Sequence, residues 1–239
     1  MTWRGPAAVL VALAVLAFAA WTWLVPDVSS LRGENPKSTA YMRLYANRQK
    51  RLGKRPVIVM RWTPMDRMSP YLAHAVVIAE DDNFYRHHGV DWRSARSALS
   101  YDWRKGRLAR GGSTITQQLA RNLFLSPTRT PLRKLREALI AWRLEWSLSK
   151  DRILELYLNV VEWGPGIYGA QAASQIYFGK YASDLTPEEA ASLASALPSP
   201  WKLNPLLAGP GLEIRKRAIL DRMRKEGYLP KEEPAPVNY

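Results

Sequence analysis

A mainly α fold is what the sequence predicts, on three observations. Helix-opening signals are many: Ser or Thr before an apolar run, often with proline at the first helical position. Within 131–147, apolar residues recur at steps of three and four. Strand signals are few, and no internal repeat runs through the 239 residues. That length suits one globular domain with a short appendage.

The composition narrows the partner. Hydrophobic residues make up 47%, ample for a core. The net charge is +14 and the pI about 10.1, so the expected partner is anionic: nucleic acid, phospholipid or a phosphorylated substrate. The absence of cysteine excludes disulfides and thiolate metal sites.

Residues 6–25 carry no charge and are rich in Ala, Leu and Val. At about 1.5 Å rise per residue they span about 30 Å, one hydrocarbon thickness. Trp21 and Trp23 stand near the outer end, and Arg4 precedes the run. An N-terminal membrane anchor at 1–26 is expected. A cleaved signal peptide is the competing reading, with Ala17, Ala19 and Ala20 resembling a cleavage site. Residues 27–56, polar and basic, read as a juxtamembrane linker with a helix around 38–51. A short extended segment is expected at 57–62.

The catalytic domain is expected over 57–228. Ser69-Pro70 opens a nearly continuous apolar helix that ends in Glu80, Asp81 and Asp82. Carboxylates at a helix C-terminus oppose its dipole by about 0.3–1 kcal/mol each, a departure that points to function. His74 lies within the apolar run and reads as a core histidine. His87 is expected to fix the loop presenting Glu80, and Phe84 to anchor that loop in the core. His87, His88 and the acids match no zinc spacing, so no metal site is assigned.

Arg104, Lys105, Arg107 and Arg110 read as a basic flap before the Gly111-Gly112-Ser113-Thr114 turn. Ser113 or Thr114 is expected to cap a helix over 115–123. Its first N–H groups, Gln117, Gln118 and Arg121 then offer donors and charge to a pyrophosphate. The ending GK[ST] is missing, so this is not a P-loop.

Another helix is expected from Pro131. Leu132, Leu135, Leu139, Trp142 and Trp146 form one stripe, read as its core face. Glu137 lies nearly opposite, beside Ile140, Ala141 and Leu144. It is expected to be partly buried, with Arg133 as a partner and Lys134 and Arg136 adjacent. Ser149 caps the next helix, which runs to Val161, with Asn159 near its end. The run EWGPGIYG at 162–169 reads as a glycine-rich loop able to shape a groove for a sugar ring. Helices follow at 169–178 and from the Thr186-Pro187-Glu188-Glu189 capping box to Leu197. An exposed basic helix is expected at 211–227, then a flexible tail over 229–239.

Four motifs stand in order: EDxxFxxHxG at 80–89, GGSTITQQ at 111–118, RKxxE at 133–137 and KxxILELYLN at 150–159. The chain resembles the peptidoglycan glycosyltransferases in these motifs, over nearly all of its non-membrane part, and looks like the monofunctional, membrane-anchored form. No room remains for a transpeptidase domain; Ser147-x-x-Lys150 has the SxxK spacing, but no KTG follows.

The resemblance implies a lysozyme-like fold of two lobes around a cleft, with one N-terminal transmembrane helix. It implies an enzyme that polymerises lipid II into glycan strands by inverting glycosyl transfer from the undecaprenyl-pyrophosphate-linked chain. Glu80 matches the carboxylate that deprotonates the acceptor 4-hydroxyl, and Glu137 the second glutamate, at the leaving-group side. Ser113, Gln117, Gln118, Arg121, Arg129 and Arg136 match positions lining the donor phosphates. Asp81, Thr114, Arg133 and Lys134 stand in the same motifs and complete the expected substrate-binding set. Relatives often carry Lys where this chain has Arg121 and Arg136, which keeps charge and alters geometry. Some members respond to Mg2+ or Mn2+; no metal ligand set and no other cofactor is read here. The implied location is the inner membrane, with the catalytic domain outside the cytoplasm, cell-wall synthesis or division proteins as neighbours and no nucleic acid. Two other classes stay open: a lytic enzyme of lysozyme-like shape, and a non-enzymatic membrane-anchored module that binds anions.

Overall fold

The computed structural model of the chain describes residues 8, 9, 11–13, 15, 19, 24–96, 112–128, 130–207 and 209–230. Most of the apolar run at 6–25, the basic flap, Gly111, Arg129 and the tail from 231 lie outside the described residues. Among the described residues, no helix is long and apolar enough to cross a membrane.

The fold is mainly α, as predicted. Helix α1 (Ala40–Arg51) starts at Thr39, whose Oγ1 accepts from Met42 N at 3.1 Å. Strand β1 (Val59–Met60) leads into α2 (Pro70–Glu80), which opens with proline. Next come α3 (Ile115–Phe124), α4 (Pro131–Ser147) and α5 (Lys150–Val160), capped by Thr114, Thr130 and Ser149. Strands β2 (Glu162–Gly164) and β3 (Ile167–Tyr168) follow. Helices α6 (Ala170–Phe178), α7 (Pro187–Ala196) and α8 (Pro210–Lys225) complete the order.

Two groups of helices pack around a continuous core. In one, α2, α7 and α8 lie against each other; in the other, α3 packs on α4, α5 and α1. The connector at 27–56 joins this core through Val28 and Leu31, which are buried in it. Helix α8, expected as an exposed basic helix, buries Leu212, Ile219, Leu220 and Met223 on one side. Cations are interspersed with its apolar residues, and that hid the narrow apolar stripe.

The glycine-rich run at 162–169, expected as an open loop, is a hairpin instead. β3 pairs antiparallel with β2 and parallel with β1, Val59 opposite Ile167 and Met60 opposite Tyr168. Gly169 makes this closure feasible. Its φ is 85°, and a Cβ there would lie 2.7 Å from the carbonyl oxygen of Asn159. Gly169→Ala is therefore expected to cost about 1–3 kcal/mol, read as a lowered melting temperature.

Helix α4 overturns one expectation. The face that enters the core carries Glu137, Ile140, Ala141 and Leu144. Leu132, Leu135, Trp142 and Trp146 are exposed, Trp146 at 88%. Both faces are apolar, so periodicity alone could not decide which one α3 and α5 would cover. A hollow of about 580 Å³, bordered by His88, Trp142 and Trp146, lies along the exposed side.

Candidate active site

The C-terminal end of α2 and the N-terminal end of α3 are tied by two adjacent acids. Asp81 Oδ2 accepts from Ile115 N–H at 2.9 Å, and Glu80 Oε2 accepts from Gln118 Nε2 at 2.7 Å. His87 holds Asp81 from the other side. Its Nδ1 accepts from Gly89 N–H at 3.2 Å, so its Nε2 carries the proton donated to Asp81 at 2.9 Å. His87 thus fixes the loop as the sequence suggests, by way of Asp81. Phe84, fully buried, anchors the same loop. His74, half-buried on α2, stacks on Tyr228 with ring centroids 3.7 Å apart.

Gln118 is itself oriented, because its Oε1 accepts from the Tyr157 hydroxyl at 3.0 Å. The relay Tyr157–Gln118–Glu80 presents the carboxylate in one orientation. Burial pushes the Glu80 carboxyl above its ordinary value, while the Gln118 hydrogen bond and the charges of Arg215 and Arg121 pull it partly back. Asp91, lining the same hollow, goes the other way. Burial opposes its charge, but hydrogen bonds from Ser94, Asn83 and Arg93 more than offset that and hold it at about 2. Two neighbouring acids are thus shifted in opposite directions: Glu80 holds its proton more readily than a free carboxyl, and Asp91 less.

That hollow, about 290 Å³, is lined by Glu80, Asp81, Asp91, Ser113 and Thr114 among others. From Ser113 a polar chain runs to the second glutamate. Lys134 Nζ donates to Ser113 Oγ at 2.8 Å and to Glu137 Oε1 at 2.6 Å, and Arg133 pairs with Glu137 Oε2. Glu137 has no exposed surface. Among the described residues, the buried guanidinium nitrogens Nε of Arg121 and Nε of Arg133 have no hydrogen-bond partner. Unpartnered buried donors are costly, and an anionic ligand would satisfy them.

The structure also redirects some expected donors. Gln117 is spent on the helix cap: its Oε1 accepts from Thr114 N, and its own N–H donates to Thr114 Oγ1, both at 3.1 Å. Ile115 N–H is bound to Asp81. The amides of Thr114, Ile115 and Gln117 are therefore already bound, and the expected cradle of free helix amides and Gln117 is reduced. Arg136 turns toward the chain's start, its Nε donating to the Leu24 carbonyl at 3.3 Å. In the fourth motif, Lys150 pairs with Glu145 at 2.8 Å, and Asn159 clamps Thr63 through two bonds of 2.8 Å.

A resident divalent ion fits this donor set poorly. Both oxygens of Glu137 are engaged by cations, and Asp81 is held by His87 and Ile115. Three groups escaped the sequence reading. Tyr157 sits in an apolar helix, though a buried hydroxyl needs a partner and that was a usable signal. Tyr41 of α1 lies within electrostatic reach of Arg121, Arg133 and Glu137, in a stretch read as linker. Arg215 acts on Glu80 from α8, and nothing in the sequence sets it apart from the other cations there.

The Transglycosylase family matches residues 50–224. A biosynthetic peptidoglycan transglycosylase of Aromatoleum aromaticum is 46% identical over 222 residues, covering 92% of this chain and 95% of its own. One from Azoarcus sp. is 47% identical over 221 residues, covering 90% and 95%. One from Alcanivorax borkumensis is 48% identical over 191 residues, covering 80% and 75%. The chain therefore belongs to the Transglycosylase family, and within it to the monofunctional biosynthetic peptidoglycan transglycosylases.

Proposed function

We propose that this peptidoglycan glycosyltransferase extends glycan strands by joining lipid II to a growing, undecaprenyl-pyrophosphate-linked chain, with Glu80 as base. The acceptor 4-hydroxyl gives its proton to Glu80. The freed oxygen attacks C1 of the donor sugar from the face opposite the diphosphate. The C1–O bond to phosphate breaks, the configuration at C1 inverts, and the lipid diphosphate leaves. An alcohol is a weak nucleophile, so a positioned base contributes about 10²–10⁴-fold. A diphosphate leaves well once cations meet its developing charge, so no covalent nucleophile is needed.

The observation that carries this reading is the shared hollow. Glu80 and Ser113 line it together, and Ser113 leads through Lys134 to Glu137 and Arg133. Arg121, with its unpartnered Nε, adds charge for the leaving group. Ser113, Gln118, Arg121, Arg133 and Lys134 are the assigned donor-side contacts. Asp81 and Thr114 shape the site by fixing its two helices. Arg129 and Arg136 remain proposed contacts by resemblance. The helix groups α2–α7–α8 and α3–α4–α5 fit the two lobes of a lysozyme-like fold.

The uncharged run at 6–25 supports a single-pass anchor in the inner membrane, with the catalytic domain outside the cytoplasm. The exposed Leu and Trp stripe of α4 supports contact with the bilayer. The mass of the mature, membrane-extracted protein tests whether the anchor is retained. Labelled lipid II given to purified protein tests the activity: polymer supports it, while solubilised fragments or no product defeat it.

The acid limb of the rate profile offers a second test. Glu80 must be ionised to accept a proton, and its folded-state pKa lies above the ordinary 4.5. Activity is expected to fall, as pH drops, at a midpoint above 4.5. Arg215→Ala removes a charge that favours the ionised form, so the midpoint should move to higher pH. An unmoved limb would detach Arg215 from Glu80.

A further inference from the structure

A second polar hollow lies at the other end of α2. It measures about 370 Å³, within the range of small-ligand sites, and shares no lining residue with the Glu80 hollow. Residues 61–67 form one wall, immediately before α2 begins at Pro70. Glu80 closes that 11-residue helix, so the two hollows are separated by about 15 Å of helix.

Its walls carry both signs of charge. Arg61, Arg67 and Asp66 border it, and none of the three side chains makes a hydrogen bond or ion pair among the described residues. Trp62 and Tyr181 supply aromatic surface. At the base is Gln171 of α6, only 4% exposed. Its Oε1 accepts from Ala182 N–H at 3.0 Å, which fixes the amide's orientation. Among the described residues, Nε2 is then left buried without an acceptor. An unmet buried donor is costly, and a site holding one beside two unpaired arginines is complementary to an anion.

We propose that this hollow binds a small amino-acid zwitterion, a free amino acid or a short peptide with both termini free. A carboxylate is received by Arg61, Arg67 and Gln171 Nε2, and an ammonium group by Asp66. Trp62 and Tyr181 flank the side chain between them. Phosphate fits less well, because Asp66 repels a dianion and the ammonium-sized partner it calls for is missing. Guanidinium and carboxamide donors match the planar acceptor geometry of a carboxylate.

The test uses full-length protein in detergent, followed by calorimetry and by the side-chain amide NMR signal of Gln171. The probes are L-alanyl-L-alanine, its N-acetyl and C-amide derivatives, free L-alanine and inorganic phosphate. Saturable binding of the dipeptide that shifts the Gln171 signal is expected, with each blocked derivative at least about tenfold weaker. Equal binding of free alanine would assign the site to amino acids, and weaker binding to short peptides with both termini free; both support the zwitterion. Arg67→Ala should weaken the dipeptide about tenfold without loss of lipid II polymerisation. Asp66→Asn should abolish discrimination against the N-acetyl form. Both residues are exposed, so these variants report on binding rather than folding. Gln171→Glu keeps the acceptor for Ala182 and replaces the donor with a carboxylate, so binding should disappear. No saturable binding, blocked peptides that bind equally, or phosphate that binds as tightly as the dipeptide would each overturn the proposal. None of these outcomes depends on the glycosyl-transfer reading.

Discussion

Glu80→Gln is expected to abolish glycan polymerisation, by about 10²–10⁴-fold or more, with the fold intact. The amide keeps an acceptor for Gln118, so the relay from Tyr157 persists. The stability sign also follows. Burial raises the folded-state pKa of Glu80, so the ionised form weighs against folding once pH exceeds that value. Removing the charge should leave the melting temperature unchanged or slightly higher at neutral pH. Activity and stability then move independently, which a merely structural glutamate would not allow. A variant that keeps a tenth or more of normal activity would remove Glu80 from the role of base.

Glu137→Ala is expected to damage both. Its carboxylate is fully buried and holds Arg133 and Lys134. Deleting one member of a buried ion network leaves uncompensated charge, at about 3–5 kcal/mol. For a chain of this size that lowers the melting temperature by about 6–20 °C. Glu137→Gln keeps the shape and one acceptor, so it should recover much of the stability. If it recovers stability but not activity, the carboxylate charge serves the leaving-group side. If activity returns with stability, Glu137 is a structural strut for the two cations. Thermal unfolding and lipid II turnover on both variants decide between these.

Much of this site was legible in the sequence because its residues are chemically out of place. Three acids ending a helix, and a glutamate among Ile140, Ala141 and Leu144, oppose local stability and so announce themselves. The caps at Thr114, Ser149 and Thr186 were legible because capping is local chemistry. Pairings across the fold were not. Gln117 and Gln118 are adjacent in sequence, yet one closes the helix cap and the other holds Glu80. That division depends on where α2 ends, which no local pattern specifies. The α4 stripe shows the same limit: two apolar faces on one helix read alike until the neighbours choose. The hairpin at 162–169 was hidden because its glycines mark close backbone approach, which an open loop would also use.

The relay at Glu80 restricts the stereochemistry of attack. Oε2 already accepts from Gln118, so on the proposed role Oε1 is the less occupied oxygen for receiving a proton. Tyr157 donates to Gln118 and thereby prevents the amide from flipping to present its carbonyl. On the proposed role of Glu80, the acceptor hydroxyl is expected on the Oε1 side of the carboxylate, and a strand that grows by many identical additions would present each new hydroxyl to that same side.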